Sequence, residues 1–332
     1  MSMPANVSEP EQGPAFAARL KALRIQEYAL AGVVVLLFIA GSILKPETFP
    51  TWDNVRNMLT QASVVGVLAI GMTFVIATAG IDLSVGSMVA ATAVAGGWLM
   101  EHIGILDSNP TLWFVLGSIA LGFLLGAVNG AAVSYGKVVP FIATLAMLLI
   151  ARGLALWISD KTPISLFELK SLRWFGTGEI LTIPSSLIIF LIVAAVGWVL
   201  LNRTPYGRYV VAVGGNPEAA RIAGVKTKRI LFSVYVLSGI CAGIAAILLC
   251  GRLASASPVS GQLYELDAIA AVVIGGTSLA GGRATIGGTV LGVITFAIVF
   301  NLLTLANLAV EIQSITKGGI ILAAVLLQRR SN

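Results

Sequence analysis

Residues 58–79 read Met58-Leu59-Thr60-Gln61-Ala62-Ser63-Val64-Val65-Gly66-Val67-Leu68-Ala69-Ile70-Gly71-Met72-Thr73-Phe74-Val75-Ile76-Ala77-Thr78-Ala79, without a single charge. A helix needs about 20 apolar residues to cross the hydrocarbon of a bilayer, where every backbone polar group must be paired internally. Working outward, further apolar runs occupy about 27–44, 86–102, 111–135, 140–158, 184–201, 230–250, 266–281, 285–305 and 312–328. The reading is an all-α, polytopic integral membrane protein with about ten transmembrane helices. Eight or nine crossings plus re-entrant segments is the alternative count. Composition agrees: hydrophobic residues make up 57% of the 332 and charged residues 11%, against about 25% in a soluble chain.

Positive charge orients the spans. Arg19, Lys21 and Arg24 precede the first run, which puts the N-terminus in the cytoplasm. With ten crossings, the 202–229 connection and the C-terminal Arg329 and Arg330 fall on the same side. The expected organisation is a cytoplasmic tail at 1–26, a membrane domain at 27–328 and a short cytoplasmic tail at 329–332. Residues 1–26 are polar and no small-residue cleavage site follows the first apolar run, so no secretory signal is expected. A net charge of +6 belongs to these connections and an anionic leaflet, so no nucleic-acid partner is expected. Cys241 and Cys250 share one apolar stretch and read as buried thiols. The single histidine, His102, has no ligand-spaced partner and reads as interfacial.

Information lies where polar or helix-breaking residues interrupt the runs. Gly80-Ile81-Asp82-Leu83-Ser84-Val85-Gly86-Ser87 places an aspartate between two apolar runs. A carboxylate there is costly unless it is wet, paired or capping. Asp82 and Ser84 read either as part of a solute pathway at a broken helix or as a tight cytoplasmic turn. Gly275-Gly276-Thr277-Ser278-Leu279-Ala280-Gly281-Gly282-Arg283 is a second interruption, with Thr277 and Ser278 as pathway candidates. No G-x-x-x-x-G-K-[ST] motif occurs, so a phosphate-cradling loop is not expected in this chain.

The third place is the 202–229 connection. Asn216 suits a helix N-cap, Pro217 the first helical position, and Gly224 the residue past the end. Glu218, Ala219, Ala220 and Arg221 fill the two turns between. Such a short capped helix either lies in the membrane interface or contacts a cytoplasmic partner. Gln61, Ser63, Thr73, Asn129, Thr144 and Asn301 are polar side chains within spans, and each serves equally as helix glue or solute contact; of these, Asn129 joins Asp82, Ser84, Thr277 and Ser278 as a pathway candidate. Arg152 and Lys317 either snorkel to the outer surface or pair with Glu265 or Asp267.

Four stretches together resemble the signature of bacterial permeases for ribose and related sugars: Gly71-Met72-Thr73 with Gly80–Ser87, Gly214-Gly215-Asn216-Pro217-Glu218-Ala219-Ala220, Tyr264–Ala270, and Gly275–Gly282. The resemblance runs in order from about residue 30 to 328. It implies the permease subunit of an ATP-binding-cassette importer, with a type II-like permease fold in a bacterial inner membrane. It further implies a non-catalytic chain that holds no cofactor, ATP and Mg being bound by a partner ATPase. A periplasmic sugar-binding protein and a second permease copy or sister permease are the other implied partners. The Asn216–Gly224 helix is then the element that docks on the ATPase. The rival reading is an ion-coupled secondary transporter, which needs an ionisable site near the midplane; Asp82 is the one candidate.

Overall fold

The computed structural model describes residues 13–103 and 109–331. Of the expected N-terminal tail, residues 1–12 lie outside the described residues, and the chain is helical from Gly13. Asn332 of the expected C-terminal tail also lies outside.

The chain forms thirteen helices among the described residues: α1 (Gly13–Leu44), α2 (Trp52–Ala77), α3 (Val85–His102), α4 (Pro110–Ser134), α5 (Pro140–Ile158), α6 (Lys170–Thr177), α7 (Ser185–Arg203), α8 (Pro205–Gly215), α9 (Pro217–Ile222), α10 (Thr227–Leu253), α11 (Tyr264–Ile274), α12 (Ile286–Leu305) and α13 (Val310–Ser331). Their starts follow local chemistry. Thr51, Thr204 and Thr285 accept a backbone N–H with the side-chain hydroxyl, and proline occupies the first turn of α4, α5, α8 and α9.

Helices α2, α3 and α10 form the centre. Nearly all of α2 from Ala62 onward is buried, as is α3 from Val85 to Val94, whereas α1 exposes most of its apolar face. Glycine permits the closest contact. Gly122 and Gly126 of α4 lie against Gly239 of α10, and a Cβ on any of the three would strike the opposing backbone. With lipid as solvent no hydrophobic force drives such packing, so close approach supplies the contact.

Among the described residues, seven helices are long and apolar enough to cross a membrane: Glu27–Leu44 within α1, then α2, α4, α5, α7, α10 and α12. The expected span at 266–281 is replaced by a half-element. Helix α11 has 11 residues, a length of about 16 Å, or half the hydrocarbon thickness. It stops at Gly275 because Gly276 adopts φ +90°. The segment before it is not helical: Ser255–Ala256 pairs with Ile164–Ser165 in a short antiparallel bridge. Gly261, at φ +71°, then brings the chain against Gly86 near the start of α3. The long 159–183 connection contains α6, which packs on the end of α10 through Gly176 and Gly251. Phe175 packs inward there and Trp174 stays exposed.

Candidate functional site: two helix breaks, a capped surface helix and a polar cleft

Helix α9 follows its sequence closely. The Asn216 side chain accepts hydrogen bonds from the N–H groups of Glu218 (3.1 Å) and Ala219 (2.9 Å), and Pro217 opens the helix. Gly224 adopts φ +84° with open space around it, and Ala220 is the buried residue that anchors the helix. Arg221 donates to both carboxylate oxygens of Glu218, at 3.0 and 2.6 Å. That bidentate hydrogen bond and charge hold the Glu218 carboxyl below its ordinary range and push Arg221 further up. Both side chains remain exposed, and Ile222 is 76% exposed beside them. The helix therefore presents a rigid polar pair and one bare apolar side chain to its surroundings.

Asp82 lies between α2 and α3 and is fully buried. Its Oδ1 accepts from the Ser84 N–H (3.0 Å) and the Ser84 hydroxyl (2.5 Å), and its Oδ2 accepts from the Ser238 hydroxyl of α10 (2.9 Å). Asn129 of α4 donates its amide to the Ser84 hydroxyl at 2.9 Å. Thr144 of α5 donates to the Ile81 carbonyl at 3.2 Å. Helices α4, α5 and α10 thus meet the break through hydrogen bonds, and among the described residues the carboxyl has no cation beside it. The Tyr235 hydroxyl is buried close to Gly80 with no hydrogen-bond partner among the described residues.

The second break touches the first and also touches α8. The Gly282 N–H donates to the Ala77 carbonyl at the end of α2 (3.0 Å), and Gly281 packs on Ala79 and Gly214. A Cβ on Gly214 would run into the Ala77 carbonyl. Thr277 and Ser278 are buried within this loop. The Thr277 hydroxyl accepts from the Thr285 N–H (3.3 Å), and the Ser278 N–H donates to the Arg283 carbonyl (2.9 Å). Through these contacts the end of α8, which leads directly into α9, is seated on both breaks.

The open space lies elsewhere. A cavity of about 290 Å3 sits between α2, α11, α12 and α13, and a neighbouring one of about 330 Å3 shares Gln61 and Arg252 with it. Asp267 and Lys317 face the first cavity as an ion pair, with Nζ at 3.0 and 2.9 Å from the two carboxylate oxygens. Asn301 also lines it and exchanges two amide hydrogen bonds with Asn54 (2.9 and 2.8 Å).

The family model described as "Branched-chain amino acid transport system / permease component" matches residues 54–325. The chain belongs to this permease family. The permease is 43% identical over 303 residues to the ribose import permease protein RbsC of Bacillus subtilis (strain 168), covering 91% of this chain and 92% of that one. Against the ribose import permease protein RbsC of Escherichia coli (strain K12) it is 41% identical over 314 residues, 93% and 95% of the two chains. Against the galactose/methyl galactoside import permease protein MglC of Salmonella typhimurium (strain LT2) it is 38% identical over 309 residues, 89% and 92%.

Within the permease, three of the sequence-predicted pathway residues, Asp82, Ser84 and Asn129, come together in one buried network. Thr277 and Ser278 sit in the adjoining glycine loop. None of the five lines either cavity. Gln61 and Asn301, which the sequence left undecided, do line the first. Lys317 takes the pairing alternative, with Asp267; Arg152 instead donates to the Pro258 and Ser260 carbonyls, at 2.5 and 3.0 Å. Sequence reasoning missed Ser238 as the partner of Asp82, and missed Arg252 and Tyr264 at the cavity. Nothing local marks Ser238, one hydroxyl on an ordinary span 156 positions away.

Proposed function

We infer that this chain is the membrane-spanning subunit of a bacterial importer that moves a monosaccharide, ribose first among the candidates, by alternating access driven by ATP hydrolysis in a partner chain. The observation that carries this reading is identity of 40–43% to ribose import permeases over nine-tenths of the chain. The D-allose transport system permease protein AlsC of Escherichia coli (strain K12) and the galactose/methyl galactoside permease of the same strain stand lower, at 36% and 37%.

The energy source follows from what the chain holds. Without a nucleotide-binding motif, the permease draws on a cytoplasmic ATPase that binds ATP and Mg, docked on α9. Positive charge around α9 and at both ends of the chain supports an orientation with the termini and α9 in the cytoplasm. A binding protein delivers the sugar on the opposite side, and a second permease copy or sister subunit completes the pathway. Contacts on α9 that differ between nucleotide-bound and nucleotide-free states would shift the bundle between its two access states. The seating of α8 on the Ala77–Gly80 turn and the Gly281–Gly282 loop supports such a route from α9 to both breaks.

The test is uptake of radiolabelled D-ribose, D-allose and D-galactose in cells lacking their own permeases and carrying this chain with its neighbouring ATPase and binding protein. The expected result is ribose uptake that survives an uncoupler and stops on ATP depletion. Uptake that an uncoupler abolishes while ATP is held constant would favour the ion-coupled reading instead.

A further inference from the structure

We propose that the cavity between α2, α11, α12 and α13 is a weak binding site for a polyhydroxylated solute. The proposal rests on the sugar-import reading and names the site that this reading leaves open. At about 290 Å3 the space lies at the lower end of small-ligand sites, which suits a monosaccharide rather than a larger solute.

Its lining is what a polyol requires. Hydroxyl groups are at once donors and acceptors, so a polyol site needs both kinds of partner facing one space. Asp267 offers acceptors, Lys317 and Arg252 offer donors, and the Gln61 and Asn301 amides and the Tyr264 hydroxyl offer both. Phe296 and Phe300 supply an apolar wall. The Lys317 ammonium, 4.6 Å from the Phe300 ring centroid, is held there between ring and carboxylate.

Two of these groups have capacity to spare. Neither the Gln61 amide nor the Arg252 guanidinium has a hydrogen-bond or ion-pair partner among the described residues. Arg252 and Gln61 also line the second cavity, which opens beside the Arg56–Glu179 ion pair on the 159–183 connection. The two cavities therefore adjoin at Gln61 and Arg252, one beside that connection and the other at Asp267 on the half-helix α11. In other transporters such discontinuous helices carry the solute site. The pairs already made, Asp267 with Lys317 and Asn54 with Asn301, must exchange partners as solute enters. That exchange keeps the site weak, and a passage needs quick release.

Protection from thiol labelling tests the site directly. Cys241 and Cys250 are both buried, so a cysteine placed at Thr304 or Gln313, which line the cavity, supplies the accessible thiol. The permease would be held with its ATPase in lipid nanodiscs and treated with a maleimide. With a Kd in the tens of millimolar, about 100 mM D-ribose slows labelling of Thr304→Cys and Gln313→Cys about threefold. The same concentration of trimethylamine N-oxide, which has no hydroxyls, leaves both rates unchanged. Glu168→Cys, exposed on the 159–183 connection, is unaffected by either. Adding Arg252→Met to Thr304→Cys removes the protection. Unchanged labelling at both cavity positions with D-ribose, D-allose and D-galactose, in a transporter that still imports one of them, would overturn the site. Protection in a transporter that imports none of them leaves the site standing and overturns the importer reading.

Discussion

Asp82 and Asn216 each fold a side-chain oxygen back onto an N–H two residues further along the chain, at 3.0 and 3.1 Å, and each does so just where a helix begins. The surroundings differ completely. Asn216 spends its remaining capacity on the Ala219 N–H, within its own turn, and α9 stays exposed. Asp82 is fully buried and spends its second oxygen on Ser238, with Asn129 reaching the same cluster through Ser84. One is a local cap and the other a junction of helices. The same local chemistry therefore contributes to different quantities: Asn216 to the order of six residues, Asp82 to the register of α2, α3, α4 and α10.

The largest expected effect lies at Asp82. Asp82→Ala leaves the Ser84 and Ser238 hydroxyls and the Ser84 N–H without their acceptor in a dry site, which should cost about 3 kcal/mol. Thermal unfolding of the purified permease in detergent would read it. Asp82→Asn keeps an acceptor for Ser84 and should recover most of the loss. An unchanged melting temperature for Asp82→Ala would break the comparison.

Asp267 offers an intermediate case. It is 6% exposed yet borders the first cavity, and its partner Lys317 is 28% exposed. Lys317→Met should cost about 2 kcal/mol, less than a dry pair because water can reach the orphaned carboxylate. The Asp267→Asn, Lys317→Met double variant should regain much of that in the same melt.

Asn216→Ala should cost about 1 kcal/mol, and only locally. Amide exchange across 217–222 should accelerate while the global melting temperature holds. A fall in global stability as large as that for Asp82→Ala would show that α9 is no separate element.

The smallest effect on stability is expected from exchanging Glu218 and Arg221. The exchanged pair keeps its hydrogen bonds but reverses the charge pattern that α9 presents. Melting should not move, while the docking role proposed for α9 has ATP-dependent uptake fall about tenfold. Normal uptake at normal expression would remove α9 from the docking role. The pair has its own pH dependence. Because the folded Glu218 carboxyl is held below its unfolded value, its contribution is present above that unfolded value. It is lost as pH falls through the lower folded one. Exchange rates in α9 should therefore show no pH-dependent step from this pair near neutrality, only one in the acid range.

Much of this was legible in the sequence because it is local. The α9 cap, its proline and its terminal glycine fall where the sequence puts them, since capping involves neighbours along the chain. Seven apolar runs became helices long enough to span, because length and composition alone decide that. The 266–281 run misled because hydropathy averages over Gly275 and Gly276, whereas backbone conformation responds to each residue.

What the sequence determined by itself is the class of molecule and the places where its helices break, since burial of apolar surface and turn chemistry are written in local composition. Only the tertiary structure decided what each break does. Ser238 reaches Asp82 from 156 residues away, Lys317 reaches Asp267 from 50, and Asn301 reaches Asn54 from 247. The reason is physical: a buried polar group needs a partner but does not specify where in the chain that partner comes from. Packing of α10, α12 and α13 chose the partners, and so separated the buried junction at Asp82 from the cavity at Asp267.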